Sequence, residues 1–577
     1  MHLRLFGAVA QNRARFGAGA ATLTPVQTVL GALTFVGFVR LENRGELSDL
    51  PGFRLGGDDS LVVLAAYQRW NSSCVRHLQG EFAFAIFDGL SNSLFLSVDH
   101  FANIPLGYWT EGSRFAFASS PSRLLSIPEV PRAPNLNAIL NLASGETSCE
   151  GPAETLHSGI FSITPGTCLT IDASGLRSET FWTPAIRDGL VPPDDDDAFA
   201  KLRELLIGSA RNHLKGRRKP VCLLSGGLDS SSLAALVARE QASRGEELLT
   251  YSGVPAPSAN IRFRHENDFI REFRAFPNVR SELFECPGRG PFDRLGEPGK
   301  YESSFLASSR KYVYEEFGKR AVSDGVDTIF DGCFGELSAT VDGSPYYLEL
   351  LLTMQWRMLA SRLAARSRNS TGKPAVAVRA LAAGLLRRLM ARSVTPQPLV
   401  FLSRDSCRAR PGKSGILPPA EHRAAHLKAV QDSLSRHSHR FGSKTIDEVH
   451  SCFPLRDRQI LEFCLATPGD MKIRDGYSRY LIRQALDGIL PKKIQWRTSK
   501  APFSPDYFVR FNAQLPMARE FVRAIGPKDP VRSLVDVNEL SRSLEPVHPV
   551  QGSFEALAII PSTLYLICFL RQFPEFR

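Results

Sequence analysis

The ten cysteines of this 577-residue sequence never fall into C-x-x-C spacing, and the one C-x-x-H, Cys74 to His77, stands alone. That absence argues against a structural zinc module and a disulfide scaffold, and it fits a reducing cytosol. The start, Met1-His2-Leu3-Arg4-Leu5, lacks the charged head and long apolar stretch of a secretory signal. Long apolar runs are missing too. The most apolar window, Ala556 to Leu570, carries Pro561 and is too short to span a bilayer, so it reads as a buried helix, with no membrane span expected. No G-x-x-x-x-G-K-[ST] phosphate loop occurs, and no internal repeat. Acid is absent between Leu350 and Arg404, where ten Lys or Arg accumulate, Arg357, Arg362, Arg366, Arg368, Arg387, Arg388 and Arg392 among them. Two readings stay open there: a solvated helical face, or a surface for an acidic peptide or protein partner. Aromatic interleaving and nucleic-acid modules are lacking, so no nucleic-acid partner is expected.

What remains is an ordinary globular composition, 43% hydrophobic and 22% charged, with a net charge of +11 and a length that suggests two to four domains. Residues 1 to about 185 read as β-rich, with runs such as Phe82–Phe87, Leu94–Val98 and Phe115–Ala118 between turn signals. Pro192-Pro193-Asp194-Asp195-Asp196-Asp197 reads as a linker whose aspartates also suit a helix start. From Ala198 onward helical periodicity alternates with short apolar runs. Val221–Leu224, Leu248–Ser252 and Thr328–Phe330 are candidate parallel strands of a doubly wound α/β unit. The segment from about 350 to 450 reads as mostly helical or irregular, with Ser367–Lys373 as a loop.

The most informative stretch is Ser225-Gly226-Gly227-Leu228-Asp229-Ser230-Ser231. It follows an apolar run and precedes a helical pattern with Leu233, Leu236 and Val237. Strand, glycine turn and helix start make a phosphate cradle. Glycine lets the backbone approach an anion, and the free N–H groups of the helix start hold it. A carboxylate cannot bind phosphate directly, so Asp229 is expected to hold Mg²⁺ across the phosphates. The pattern resembles the PP-loop of the ATP pyrophosphatases, which cleave ATP between its α and β phosphates.

Over most of its length the sequence is similar to the asparagine synthetase family. In the N-terminal third the resemblance rests on Gly80–Asp88, Val98-Asp99-His100-Phe101, Pro105–Trp109, Thr155–Ile160 and Pro165-Gly166. In the rest it rests on the phosphate loop, Asp331-Gly332-Cys333-Phe334-Gly335-Glu336, Pro454–Arg458, Tyr480–Ala485, Leu490–Ile494 and Arg497–Lys500. The resemblance implies an α+β amidotransferase-like β-sandwich with flanking helices over residues 1–190. It implies an α/β PP-loop domain with a parallel sheet and an added helical region over residues 198–577. It places ATP against Leu224, Ser225, Gly226, Gly227, Leu228, Asp229, Ser230, Ser252, Gly253, Asp331 and Gly332. Asp229 and Glu336 then hold Mg²⁺. Glu336 stands where the family pattern Ser-Gly-x-Gly-x-Asp ends, one methylene longer. Lys500 matches the lysine facing the phosphates and is expected to be catalytic together with the two carboxylates.

One departure redirects the expected activity. The family's glutaminase nucleophile is a cysteine at residue 2, and His2 stands there; Cys74, Cys149 and Cys168 are internal. Glutamine-fed asparagine synthesis is therefore disfavoured, and the amine must come from a substrate. β-Lactam synthetases use a tyrosine where Cys333 stands, so the sequence looks more like the lasso-peptide macrolactam synthetases. That implies a precursor peptide as substrate and a leader-peptide protease as partner. The alternatives are an ammonia-fed amide synthetase and an inactive peptide-binding homologue.

Overall fold

Alternating large and small residues build the N-terminal part. In β4 (Gly80–Asp88), Phe82, Phe84 and Ile86 point to one face and Ala83 and Ala85 to the other, as the period of two requires. It lies in an antiparallel sheet of order β11-β10-β5-β4-β3-β2. Its partners are β2 (Val26–Leu30), β3 (Leu33–Leu41), β5 (Ser93–Val98), β10 (Thr167–Asp172) and β11 (Gly175–Thr180). A second sheet runs β1-β7-β6-β9-β8. Its strands are β1 (Arg4–Gly7), β6 (Gly107–Glu111), β7 (Arg114–Ala118), β8 (Ala153–Glu154) and β9 (Ile160–Ser162), with only β1 and β7 parallel. The alanine face of β4, with Leu96 and Val98, packs on Tyr108, Phe115 and Phe117 of the second sheet. In this computed structural model the described residues are 4–7, 26–51, 57–112, 114–145, 153–255, 267–297, 305, 310–369, 398–408, 419, 421–436, 449–498, 504, 506–548 and 555–577.

The phenylalanine face of β4 meets Val62, Val63 and Ala66 of the helix Asp59–Trp70, and also Leu461 and Leu465 of the helix Arg458–Ala466. The two halves of the chain thus share one apolar core. Each buried phenylalanine contributes about 2–3 kcal/mol by leaving water. Hydrogen bonds tie the halves together: the buried Trp182 Nε1 donates to Glu462 Oε1 at 3.0 Å, and Arg456 Nη1 donates to Asn103 Oδ1 at 3.1 Å in a part-buried contact.

Asp194 caps the helix Asp195–Leu214 by accepting from the N–H groups of Asp196 and Asp197, an arrangement that stabilises a helix start by about 1 kcal/mol. Beyond it lie five parallel strands in the order β14-β13-β12-β15-β16. They are β12 (Pro220–Leu223), β13 (Leu248–Gly253), β14 (Val279–Phe284), β15 (Thr328–Phe330) and β16 (His450–Cys452). The chain winds outward from β12 on one side and returns to β15 on the other, so the switch point lies between β12 and β15, where ligands of such sheets bind. The three strands read from the sequence are present; β14 and β16 extend them at the edges. Between 350 and 450 the described helices include Trp356–Asn369 and His422–Ser435. Ser367, Arg368 and Asn369, expected in a loop, end the first of these, where the arginine-rich pattern continues the helix; the rest of that loop lies outside the described residues. Arg387, Arg388 and Arg392 lie outside them too.

The apolar end of the chain is the buried helix Ile560–Leu570, with Pro561 in its first turn, packed on Phe511, Leu515 and Ile139. Among the described residues no helix is long and apolar enough to cross a membrane.

Among the described residues, the Lys472 ammonium has only the His426 ring, 3.3 Å away, as its partner. Burial depresses its amine to about 7, only partly offset by Cys464. A depressed amine stabilises the fold only above its unfolded value, and that stability is lost as pH falls from 10.5 through 7. We expect Lys472→Met to raise Tm by several degrees near pH 6, with the gain shrinking toward about pH 10. An equal gain at both ends, measured by calorimetry, contradicts a charged, buried amine.

Candidate active site

Each sequence-expected nucleotide residue within the described part sits at the carboxyl edge of β13, β12 and β15, three adjacent strands. Leu224 follows β12 and is buried, its N–H donating to the Tyr251 carbonyl at 2.9 Å. Gly226 takes φ +73°, a left-handed conformation that turns the chain back toward the helix Leu228–Ala242. Ser225 and Ser230 close the loop on themselves with their hydroxyls 2.9 Å apart. Gly227 is the N-cap of that helix and offers no side-chain acceptor to its first-turn N–H groups. A bound anion is the acceptor such a terminus lacks. Ser252 and Gly253 end β13, and the buried Ser252 hydroxyl has no hydrogen-bond partner among the described residues.

The second loop, after β15, is pressed onto the first. A Cβ on Gly332 would stand 2.9 Å from the Ser230 nitrogen, and one on Gly335 would stand 2.5 Å from Asp229 Oδ1 and 2.9 Å from Leu455 Cδ1. These two glycines are demanded by close approach. Asp331 is anchored by its N–H to the Cys452 carbonyl at 2.9 Å, and its carboxylate accepts from Cys333 N at 3.0 Å. Burial raises the Asp331 carboxyl, with Arg456 opposing. Phe334 stands where the family pattern has its second glycine, yet keeps the left-handed φ of +77°. That backbone costs a non-glycine residue about 1–2 kcal/mol. Its ring compensates by contacting Phe101 of the N-terminal half, centroids 5.4 Å apart, and by lying under the Arg456 guanidinium. For Gly335→Ala we expect ATP-dependent turnover to fall at least tenfold through displacement of Asp229, while Gly208→Ala, with no atom within 4 Å of the added Cβ, leaves turnover intact.

Asp229 lies in the first turn of its helix and Glu336 in the short turn Gly335–Leu337. The Arg479 guanidinium joins them, 3.4 Å from Asp229 Oδ2 and 3.4 Å from Glu336 Oε1. Thr340 Oγ1 donates to Asp229 Oδ1. Two carboxylates that share one cation present the oxygen donors a hard divalent ion takes, so the pair fits Mg²⁺.

Arg479 and Arg497 escaped the sequence reading. Arg479 directly precedes the Tyr480–Ala485 block and enters its helix at φ +58°, which aims it at the carboxylates. Its one sequence signal is a basic residue at the edge of that block. Arg497 donates to the Gly226 carbonyl and stacks on the Phe269 ring at 3.7 Å. Arg483 is buried, donates to the Gln495 and Ser478 carbonyls, and braces these two segments. Lys500, His2 and Cys149 lie outside the described residues. Cys74 and Cys168 are buried, and burial pushes the Cys74 thiol far up and the Cys168 thiol to about 12, so neither is a ready nucleophile.

Residues 42–182 match the glutamine amidotransferase domain family, and residues 201–275 and 343–548 match the asparagine synthase family. The sequence is 26% identical over 524 residues to the glutamine-hydrolyzing asparagine synthetase 3 of Bacillus subtilis, across 84% of this chain and 77% of that one. A putative glutamine-hydrolyzing asparagine synthetase of Mycobacterium tuberculosis is 29% identical over 211 residues, 34% of this chain and 31% of that protein. A solved allosteric regulatory enzyme of purine biosynthesis is 14% identical over 46% of this chain and 64% of that one, with a TM-score of 0.21. An amidotransferase domain followed by a synthase domain, with homology along most of the sequence, places this chain in the asparagine synthetase family.

Proposed function

We propose that the protein is an ATP-dependent, AMP-forming amide ligase of the asparagine synthetase type, and that it closes the macrolactam ring of a lasso peptide. The observation that carries the ligase reading is the convergence of Asp229 and Glu336 on the Arg479 guanidinium at the mouth of the phosphate loop. An Asp or Glu side chain of the peptide attacks the α-phosphorus of ATP and pyrophosphate departs. The peptide's N-terminal amine then attacks the acyl-adenylate and AMP leaves. Asp229 and Glu336 would hold a Mg²⁺ ion, and that ion would supply charge neutralisation for pyrophosphate. The helix start at Leu228 and the Ser252 hydroxyl bind the nucleotide. Lys500 offsets the negative charge that develops on pyrophosphate and on the tetrahedral oxyanion.

Two features support a peptide amine over ammonia released from glutamine. The first 73 residues of the sequence contain no cysteine, and the N-terminal half's described cysteines are buried. The helix Trp356–Asn369 also carries Arg357, Arg362, Arg366 and Arg368 beside exposed Trp356 and Met358, a surface suited to an acidic peptide or to the protease that delivers it. ATP–pyrophosphate exchange separates the readings. We expect exchange with a precursor peptide bearing a free N-terminus and none with free aspartate. Exchange prompted by aspartate alone points to an ammonia-fed amide synthetase, and no AMP release with peptide and protease present points to an inactive peptide-binding homologue.

A further inference from the structure

A second cluster of metal-binding side chains lies beneath the catalytic edge, where the two halves of the chain meet. Glu81 comes from β4, His213 from the helix Asp195–Leu214 and Cys452 from β16. Their donor atoms all lie within 4.8 Å of one another, and the residues are 2%, 4% and 0% exposed. We propose that Glu81, His213 and Cys452 form a structural zinc site that joins the N-terminal half to the parallel sheet.

Three observations beyond the clustering support a cation there. The His213 Nδ1 lies 2.9 Å from the Ser209 carbonyl oxygen. A carbonyl only accepts, so Nδ1 carries a proton and Nε2 is the nitrogen turned toward the cluster. That is the orientation of a metal-bound histidine, whose other nitrogen donates to a carbonyl or carboxylate. Nε2 faces Glu42 Oε1 at 3.3 Å. A positive centre sits between these two atoms, either a metal ion or a second ring proton. Finally, Glu81 Oε1 is buried without any hydrogen-bond partner, while Glu81 Oε2 lies 3.3 Å from His450 Nε2. A buried carboxylate oxygen left unpaired is destabilising, and a metal bond offsets that loss.

The donor chemistry selects the ion. A thiolate, an imidazole and a carboxylate suit zinc; magnesium and calcium take all-oxygen sets. Zinc bonds of about 2.0–2.3 Å put tetrahedral donors roughly 3.3–3.8 Å apart. Side-chain rotation would bring the three donors to that spacing, with the Cys452 thiol proton released to water and Glu42, 3.3 Å from His213 Nε2, beside the open fourth position. Arg40 and Arg217, 3.5 Å from Glu42 and 3.7 Å from Glu81, are the charges that oppose it. They are outweighed once Glu42, Glu81 and the Cys452 thiolate are all ionised. Because the Cys452 carbonyl holds the Asp331 N–H, the same metal would steady the second nucleotide loop.

The test is metal content of the full-length protein, followed by cobalt substitution. Mass spectrometry of the purified chain should find about one zinc per molecule. Zinc should be lost in Cys452→Ser and in His213→Gln, and kept in Cys222→Ser and Asp229→Ala. Chelator-treated wild type should take up Co²⁺ with a thiolate-to-cobalt charge-transfer band, and chelation should lower Tm by several degrees. Wild type that binds neither zinc nor cobalt overturns the site, leaving a proton as the positive centre. So does cobalt bound without the thiolate band, or zinc retained by both variants.

Discussion

Asp229→Ala should abolish AMP formation and leave the fold standing. The carboxylate does three things at the mouth of the phosphate loop: it faces Arg479, it accepts from Thr340, and it fills the space against Gly335. None of these ties the core together, since Asp229 is partly solvated at a helix start. Its removal should cost at most about 1 kcal/mol of stability, the usual range for a partly exposed ion pair. Catalysis should suffer far more. A metal's charge stabilisation is worth several kcal/mol in the transition state, and each 1.36 kcal/mol is tenfold, so turnover should drop about a thousandfold or more. Asp229→Asn keeps an acceptor for Thr340 but loses the charge, and should fail as badly. The measurements are AMP release with peptide substrate, set beside thermal melting. Turnover like that of the wild type in either variant would remove the metal from the argument, and with it the ligase reading.

What the sequence disclosed and what it withheld divide along a physical line. The phosphate loop was legible because strand, glycine turn and helix follow one another in the chain, and a single window holds the whole device. The loop Asp331–Glu336 was legible for the same reason once the strand before it was seen. Arg479 was not, because its role depends on a left-handed entry into a helix that brings it to carboxylates 250 and 143 residues away. β14 was missed since Arg280 and Glu282 interrupt any apolar run on an edge strand, and β16 since His-Ser-Cys is too short to read. The cysteine spacing argued against a local zinc module, and the cluster of Glu81, His213 and Cys452 is assembled from three distant elements that no spacing rule connects. Phe334 reads in sequence as the loss of a glycine. In the fold the backbone keeps the glycine's conformation, and the ring is reused to seat the loop on Phe101.

Lys500→Ala should separate catalysis from nucleotide binding. Lys500 is expected to face the phosphates, as the family resemblance implies. Three residues before it in sequence, Arg497 donates to the Gly226 carbonyl and rests on Phe269. A lysine there serves best where charge builds up during reaction, because the ground-state phosphates would already have the helix start and a carboxylate-held metal. Loss of one such donor lowers kcat about 100- to 1,000-fold. The KM for ATP should then change by no more than about threefold, since uniform binding is not what is removed. Lys500→Arg should recover little, because a planar guanidinium does not replace a compact ammonium at one oxyanion. Single-turnover AMP release and pyrophosphate exchange read the two steps separately, and both should slow. A variant with normal kcat and a raised KM for ATP would move Lys500 from the reacting phosphates to the nucleotide's binding surface.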